Sequence, residues 1–320
     1  MKMTMENTEI QVVHGLANAD YHHDYPDFIS STSLKNYGES QMAFLASSQA
    51  ERVHKYHFDF GSLWHDMIAA RHEHGEAWEN FYHVFQPAIN EKTGQPYGAD
   101  TKAQQEAKAI AHSENPGKVM IAEHDKDACV AMLGNIFDHE SSHLFKSYEF
   151  FQKMFVRGLP EVSYFAPNFF EGLNLRIRPD LDGGCSRTGK SFILDYKSID
   201  FPLSDFKGRI EKLHYDISAG MYVSVKAEWM KQNGFVNEFG ETQIDFYWLV
   251  QEKKYPHDWM IVSAENYLPT AIDKFYSCLT LHRDAINTKQ YKGISHYSDD
   301  ANGIFRPTPA PWNKQLNKML

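Results

Sequence analysis

The chain has 320 residues, 42% of them hydrophobic and 14% aromatic, with a formal net charge of −10. That is enough apolar material for one large core or two small ones. No run of about eighteen apolar residues offers a membrane span, and the opening "MKMTMENTEIQVVHG" lacks the apolar heart of a signal peptide. Cys129, Cys185 and Cys278 are scattered and odd in number, so neither a zinc knuckle nor a disulfide framework is expected, and a reducing, cytoplasmic setting fits. The acidic balance argues mildly against a nucleic-acid partner. A total leaves room for one basic groove, however, and a site for divalent metal needs carboxylates in any case.

Residues 15–50 read as an opening segment, in which the Ser/Thr run of "DYPDFISSTSLKNY" caps a helix over "SLKNY". In "FDFGSLWHDMIAARH", Phe60, Leu63, Trp64, Met67 and Ile68 recur at helical spacing, which places His65 on a helix early in the fold. Residues 86–100 are loop-like. "TKAQQEAKAIAHSE" is a helix former by propensity, stopped by "NPG". "EHDKDACVAMLGNIFDHESSHLF" reads as an amphipathic helix with Val130, Leu133, Ile136 and Phe137 on one side.

The period then changes. "PEVSYFAP" and "LNLRIRPD" alternate about the turn "FFEG" and predict a hairpin, with Leu173, Leu175 and Ile177 opposed to Asn174, Arg176 and Arg178. "DGGCSRTGK" is a glycine-rich turn. "SFILDYKS" is a mostly apolar strand that ends in charge, the pattern of a central strand whose tip meets solvent or a ligand. "KLHYDISAGMYVSVKAEWM" predicts a helix, "IDFYWLVQEKKYP" and "HDWMIVSAEN" predict strands, "LPTAIDKFYSCLTLHRDAINTK" predicts a long helix, and "GIFRPTPAPW" is too proline-rich for either. This order predicts one α/β domain over residues 1–320: a mostly helical front section (15–150), an α/β core (155–285) and a Pro-rich tail (295–320), with no linker or repeat dividing it.

The candidate chemistry lies in the middle. Asp180 follows "RIRP" at a strand end, and Asp195 ends the apolar run "FILD", where a carboxylate is costly unless paired or holding metal. Lys197 lies two residues on and so points to the same side as Asp195, with Tyr196 facing away. Two acids and a lysine fit metal-assisted phosphodiester hydrolysis: the acids hold one or two Mg²⁺ ions through oxygen, and the lysine adds positive charge near the attacking water and phosphoryl oxygens. Glu161, at the start of "EVSYF", is either a third carboxylate for the metal shell or a surface acid. His65 is either a core histidine or a site residue. Gln251, in "QEK" at a strand end, can reach the same cleft through its amide. Tyr215, Ser218 and Tyr222 share one helix face, for aromatic packing or for lining a site beside DNA.

These residues resemble the RecE-type exonucleases, of which the exonuclease VIII nuclease domain is an example, within the PD-(D/E)xK superfamily. The motif stands here as "RPD" ending at Asp180 and "DYK" from Asp195 to Lys197. "HGLANADYH" with the Ser/Thr-rich run before "LKNY" is similar to the family's opening segment, "FDFGSLWHDMI" to its Gly-x-x-x-His helix, "PEVSYF" to its Glu strand, and "LVQEK" to the strand after the bridging helix. The resemblance implies a restriction-endonuclease-like core, a central mixed sheet flanked by helices behind a helical N-terminal section. It also implies that Asp180, Asp195, Glu161 and His65 hold Mg²⁺ (or Mn²⁺), with Lys197 catalytic. It further implies a tetrameric ring on double-stranded DNA ends that degrades one strand from 5′ to 3′ for a single-strand annealing partner in phage-type recombination. One departure stands out: where the family often has Gln-x-x-x-Tyr, this chain has Ser218 before Tyr222. Three scattered cysteines disfavour an iron–sulfur relative. The competing readings are an endonuclease or repair nuclease of different end preference, and a catalytically silent DNA-binding or assembly protein.

Overall fold

The computed structural model describes residues 8–49, 56–138 and 146–297, together with Asn302 and Ile304. The front section opens with β1 (Gln11–Val13), α1 (Asn18–His23), β2 (Phe28–Ser30) and α2 (Ser31–Lys35). The cap of α2 is Ser30, whose hydroxyl accepts from the Ser33 amide at 3.3 Å, which is how a serine ends a strand and starts a helix. α3 (Gln41–Gln49) and α4 (Tyr56–Ala69) follow, and the predicted stripe of Phe60, Leu63, Trp64, Met67 and Ile68 is buried. Next come β3 (Tyr82–Phe85), β4 (Ile89–Asn90) and β5 (Gln95–Pro96). The stretch read as a loop thus holds a two-residue β4–β5 ladder. α5 (Lys102–Glu114) is capped by Thr101 and ends at Asn115. β6 (Val119–Ala122) pairs with β3 in parallel.

α6 (Glu123–Phe137) corrects one expectation. Val130 is half exposed, at 50%, and the buried stripe is Cys129, Met132, Leu133 and Ile136. Those four follow the i, i+3, i+4, i+7 pattern, and Val130 lies about 100° round the helix from Cys129.

After α7 (Tyr148–Arg157) come β7 (Gly158–Pro160), β8 (Ser163–Phe170), β9 (Leu173–Ile177), β10 (Leu181–Gly183) and β11 (Lys190–Ile199). α8 (Phe206–Lys212) and α9 (Tyr215–Gln232) cross to β12 (Gln243–Glu252), and β13 (Trp259–Ser263) and α10 (Leu268–Thr288) complete the core. The glycine-rich run after Asp182 is less of a turn than its composition predicts, since Gly183 is a strand residue of β10 and a Cβ there would fall on the Phe192 ring. The proline-rich tail lies mostly outside the described residues.

Two sheets organise these elements. One has five strands in the order β13-β12-β11-β10-β7, the other four in the order β1-β8-β9-β2. β11 is the central strand of the first, parallel to β12 and antiparallel to β10, so the sheet is mixed. Front-section strands β1 and β2 join the second sheet, so front and core share it. The hairpin of the "EVSYF" and "LNLRI" strands is longer than predicted and passes from one sheet to the other. β7 pairs with β10 in the five-stranded sheet, and β8 pairs with β9 in the four-stranded one. At the break the Glu161 amide donates to the Asp180 carbonyl at 3.3 Å. The core has two parts. Ile193, Phe246, Trp248 and Val250 pack toward α9 and α10, while Leu194, Tyr196 and Leu249 pack toward α4, α6 and α7. Among the described residues no helix is long and apolar enough to cross a membrane.

Candidate active site

The break in the hairpin is what makes the site. Glu161 sits at the corner between β7 and β8 with φ of 54°, rather than at the start of the strand as its sequence position predicts. Asp180 sits opposite, after Pro179, at the corner between β9 and β10. A strand pair that changes sheet must kink both chains at one level, and here the kink carries an acid on each. Asp195 and Lys197 come from β11, two residues apart and on one face. The Lys197 ammonium contacts the Asp195 carboxylate and also donates to the Tyr196 carbonyl at 3.1 Å. Tyr196 faces the other way, its ring 5.6 Å from that of His65.

His65 is not sequestered in the core. Its Nδ1 lies 3.3 Å from Asp180 Oδ1, while Asp180 Oδ2 accepts from the Tyr196 amide. Asp180 therefore touches both α4 and β11. Burial works against an ionised Asp180, but the charge and hydrogen bond of His65, the charge of Lys197 and the Tyr196 amide outweigh it and hold its pKa below the usual carboxylate value. Burial likewise opposes the His65 imidazolium, and Asp180 overcomes this, so the His65 pKa is raised. Asp195 moves the other way: burial, with the Asp180 charge added, raises its pKa against the pull of Lys197. Glu161, bound by the Arg178 guanidinium at 2.6 Å, is pushed up to about 7 by burial, with Asp180 and Asp66 adding to it and Arg178 opposing.

The Lys197 ammonium stands 5.2 Å from the centre of the Tyr215 ring at the start of α9. The Tyr222 hydroxyl donates to the Arg178 carbonyl at 3.3 Å. Ser218 is buried, and its hydroxyl has no hydrogen-bond partner among the described residues. Gln251 departs from expectation. It is fully buried, and its amide, instead of lining the cleft, is spent on the Trp64 indole, the Met132 carbonyl and the His257 carbonyl. A buried amide takes the partners that satisfy it, and here they hold the helix that carries His65.

Three residues of this site escape the sequence reading. Lys35, the last residue of α2, lies 5.1 Å from the Tyr215 ring. Its pKa is pushed down to about 8 by burial and the charge of Lys197, against the pull of Asp195 and Asp180. In the sequence Arg178 marks only the polar side of a strand, whereas it holds Glu161, and Asp66 accepts from the Tyr82 hydroxyl at 2.6 Å beside His65. Lys35 ends a serine-capped helix, but nothing local signals that α2 packs on α9 and so brings Lys35 to Tyr215.

Asp180, Asp195 and Glu161 offer only hard carboxylate oxygen, and two of them are buried close enough for one charge to raise the pKa of the other. That donor chemistry fits Mg²⁺ or Mn²⁺. Among the described residues no three His, Cys, Asp or Glu side chains converge on one point. Each acid is instead held by a basic side chain: Asp180 by His65, Asp195 by Lys197 and Glu161 by Arg178.

The fold is an α/β arrangement of mixed sheets flanked by helices. It is similar to the crystal structure of a "Putative exonuclease" from Eubacterium rectale, with a TM-score of 0.53 and 14% identity, covering 95% of this chain and 98% of that one. At that identity the likeness is one of fold. No family model matches the sequence, and no curated protein does.

Proposed function

We propose that the chain is a Mg²⁺-dependent exodeoxyribonuclease that degrades linear double-stranded DNA from 5′ to 3′ by phosphodiester hydrolysis, leaving 3′ single strands for recombination by annealing. The carrying observation is that Asp180, at the β9–β10 corner, accepts from the Tyr196 amide between Asp195 and Lys197 on β11, with His65 against Asp180. The direction of digestion, a tetrameric ring and a single-strand annealing partner rest on the RecE-type resemblance. The fold likeness to a chain described as an exonuclease agrees with that reading.

In this reading Asp180, Asp195 and Glu161 are the oxygen donors for the metal, with the remaining ring nitrogen of His65 as a further donor. The ion, when bound, polarises the phosphate and makes its water a nucleophile at neutral pH. The protein does the rest. Tyr196 and His65 hold Asp180 in its ionised form. Lys197, whose pKa is raised because Asp195 and Asp180 outweigh its burial, keeps a fixed positive charge where the phosphoryl oxygens gain negative charge. Lys35 brings a second cation to the same wall.

A plasmid assay tests the reading. With Mg²⁺ the linear form should be consumed and the closed circle spared, and a 5′ label should leave before a 3′ label. Nicking of the closed circle would favour an endonuclease. No metal-dependent release of nucleotides from any duplex would favour a DNA-binding protein that keeps the fold.

A further inference from the structure

Among the described residues one lysine is completely buried. Lys226, on α9, is 0% exposed, and its three N–H donors are all used: Asp182 Oδ1 at 2.7 Å, the Gly183 carbonyl at 2.7 Å and the Phe192 carbonyl at 3.1 Å. The other oxygen of Asp182 accepts from the Tyr164 hydroxyl at 2.8 Å. One ammonium therefore ties α9 to both β10 and β11, and Asp182 ties that knot to β8 of the other sheet. None of these groups is among the reacting ones, and burying such a pair is rarely a gain in stability over apolar packing.

Their position says what they do. β10 is three residues long, with Leu181 opposite Leu194 and Asp182 opposite Ile193 on β11. So short a ladder is a weak clamp for a carboxylate that must be held to a fraction of an ångström. Asp180 precedes this strand, and α9 grips the segment on both sides of it. Tyr222 bonds the Arg178 carbonyl before Asp180, and one turn later Lys226 bonds Asp182 and Gly183 after it. The third bond of Lys226, to the Phe192 carbonyl, fixes the strand that carries Asp195.

We infer that Lys226 is a positioning residue, which through Asp182, Gly183 and Phe192 sets the separation of Asp180 and Asp195 and so the affinity of their site for a divalent cation. The inference rests on the proposed metal-dependent reading.

The test uses the full chain as wild type, as Lys226→Met, and as the paired Asp182→Asn/Lys226→Met, which leaves no buried charge alone should the single variant fail to fold. Each is titrated calorimetrically with Ca²⁺ and assayed on linear duplex over a range of Mg²⁺, well below its melting temperature. The expected result, in whichever variant folds, is Ca²⁺ affinity weakened by about tenfold or more. The Mg²⁺ needed for half-maximal rate should rise in parallel, and the rate should return toward wild type at saturating Mg²⁺. A folded variant with a lower melting temperature but unchanged Ca²⁺ affinity and Mg²⁺ requirement would overturn the inference alone. A wild-type chain that neither binds divalent cations nor cleaves DNA would overturn both it and the nuclease reading.

Discussion

At the scale of single residues, the site is a set of acids each matched to a basic side chain, and the matches divide the work. Asp180 is kept ionised, with a lowered pKa, by His65 and the Tyr196 amide, whereas Asp195 has its pKa raised by burial and by the Asp180 charge. On the proposed reading, Asp180→Asn and Asp195→Asn should each remove most Mg²⁺-dependent cleavage with the circular-dichroism spectrum and melting temperature little changed. Wild-type turnover in either variant would remove that residue from the site. Lys197→Ala should slow cleavage by roughly 10²-fold or more while metal still binds. Lys197→Arg should restore only part of the rate, because a planar fork does not replace a compact ammonium against Asp195. If calorimetry instead showed metal affinity collapsing with normal cleavage per bound metal, Lys197 would be structural. His65→Ala should cut activity more than stability, since its imidazole meets Asp180 rather than filling a cavity.

At the scale of elements, the bridging helix α9 decides how the site is assembled, and its own packing is tight. Gly220 lies against α10, where an added Cβ would meet the Ala271 carbonyl, its carbon at 2.6 Å. Gly220→Ala should therefore force the helices apart and destabilise the fold by about 1–3 kcal/mol, read as a shift in the urea midpoint. An unchanged midpoint would mean that α9 and α10 can separate freely. Three turns further along the same buried face, α10 meets Tyr37. His282 is buried against Tyr37, whose hydroxyl lies 2.6 Å from its Nδ1, and burial lowers the pKa of the imidazole. The unfolded chain takes up that proton first as pH falls. The contribution of His282 is thus intact above about pH 6.5 and is lost on acidification toward its lower folded pKa. His282→Gln should lose less melting temperature than wild type between about pH 7.5 and about pH 5.5. Equal losses would assign the acid sensitivity to other groups.

At the scale of the whole molecule, a chain of net charge −10 has little electrostatic hold on a polyanion through backbone contacts alone. The proposed ring would supply by enclosure what charge does not, and closed symmetry is the usual way identical chains make one. The expected species is a tetramer by light scattering. Preloaded labelled duplex should continue to be digested after Mg²⁺ is added together with an excess of unlabelled duplex. A stable monomer whose digestion stops at once on adding the trap would defeat the ring while leaving the metal-site assignment standing.

The sequence by itself determined what local periodicity and capping can carry. The α4 stripe around His65, the β8–β9 hairpin, the apolar central strand ending in Asp195 and Lys197, and the cap of α2 are each written within a few residues, because side-chain spacing of 3.6 or 2 fixes a face wherever one side is buried. It also placed Asp195 and Lys197 on one face and Tyr196 on the other, since alternation along a strand needs no tertiary information. Only the tertiary structure decided which partners those faces meet. The hairpin kinks between two sheets at Glu161 and Asp180, Gln251 turns its amide to Trp64 rather than to the cleft, and α2 brings Lys35 beside Lys197. None of these can be read from one segment. A buried polar group takes whatever partner the packed fold brings within reach, and that partner here comes from elements more than a hundred residues away, as Trp64 does for Gln251 and Tyr37 for His282.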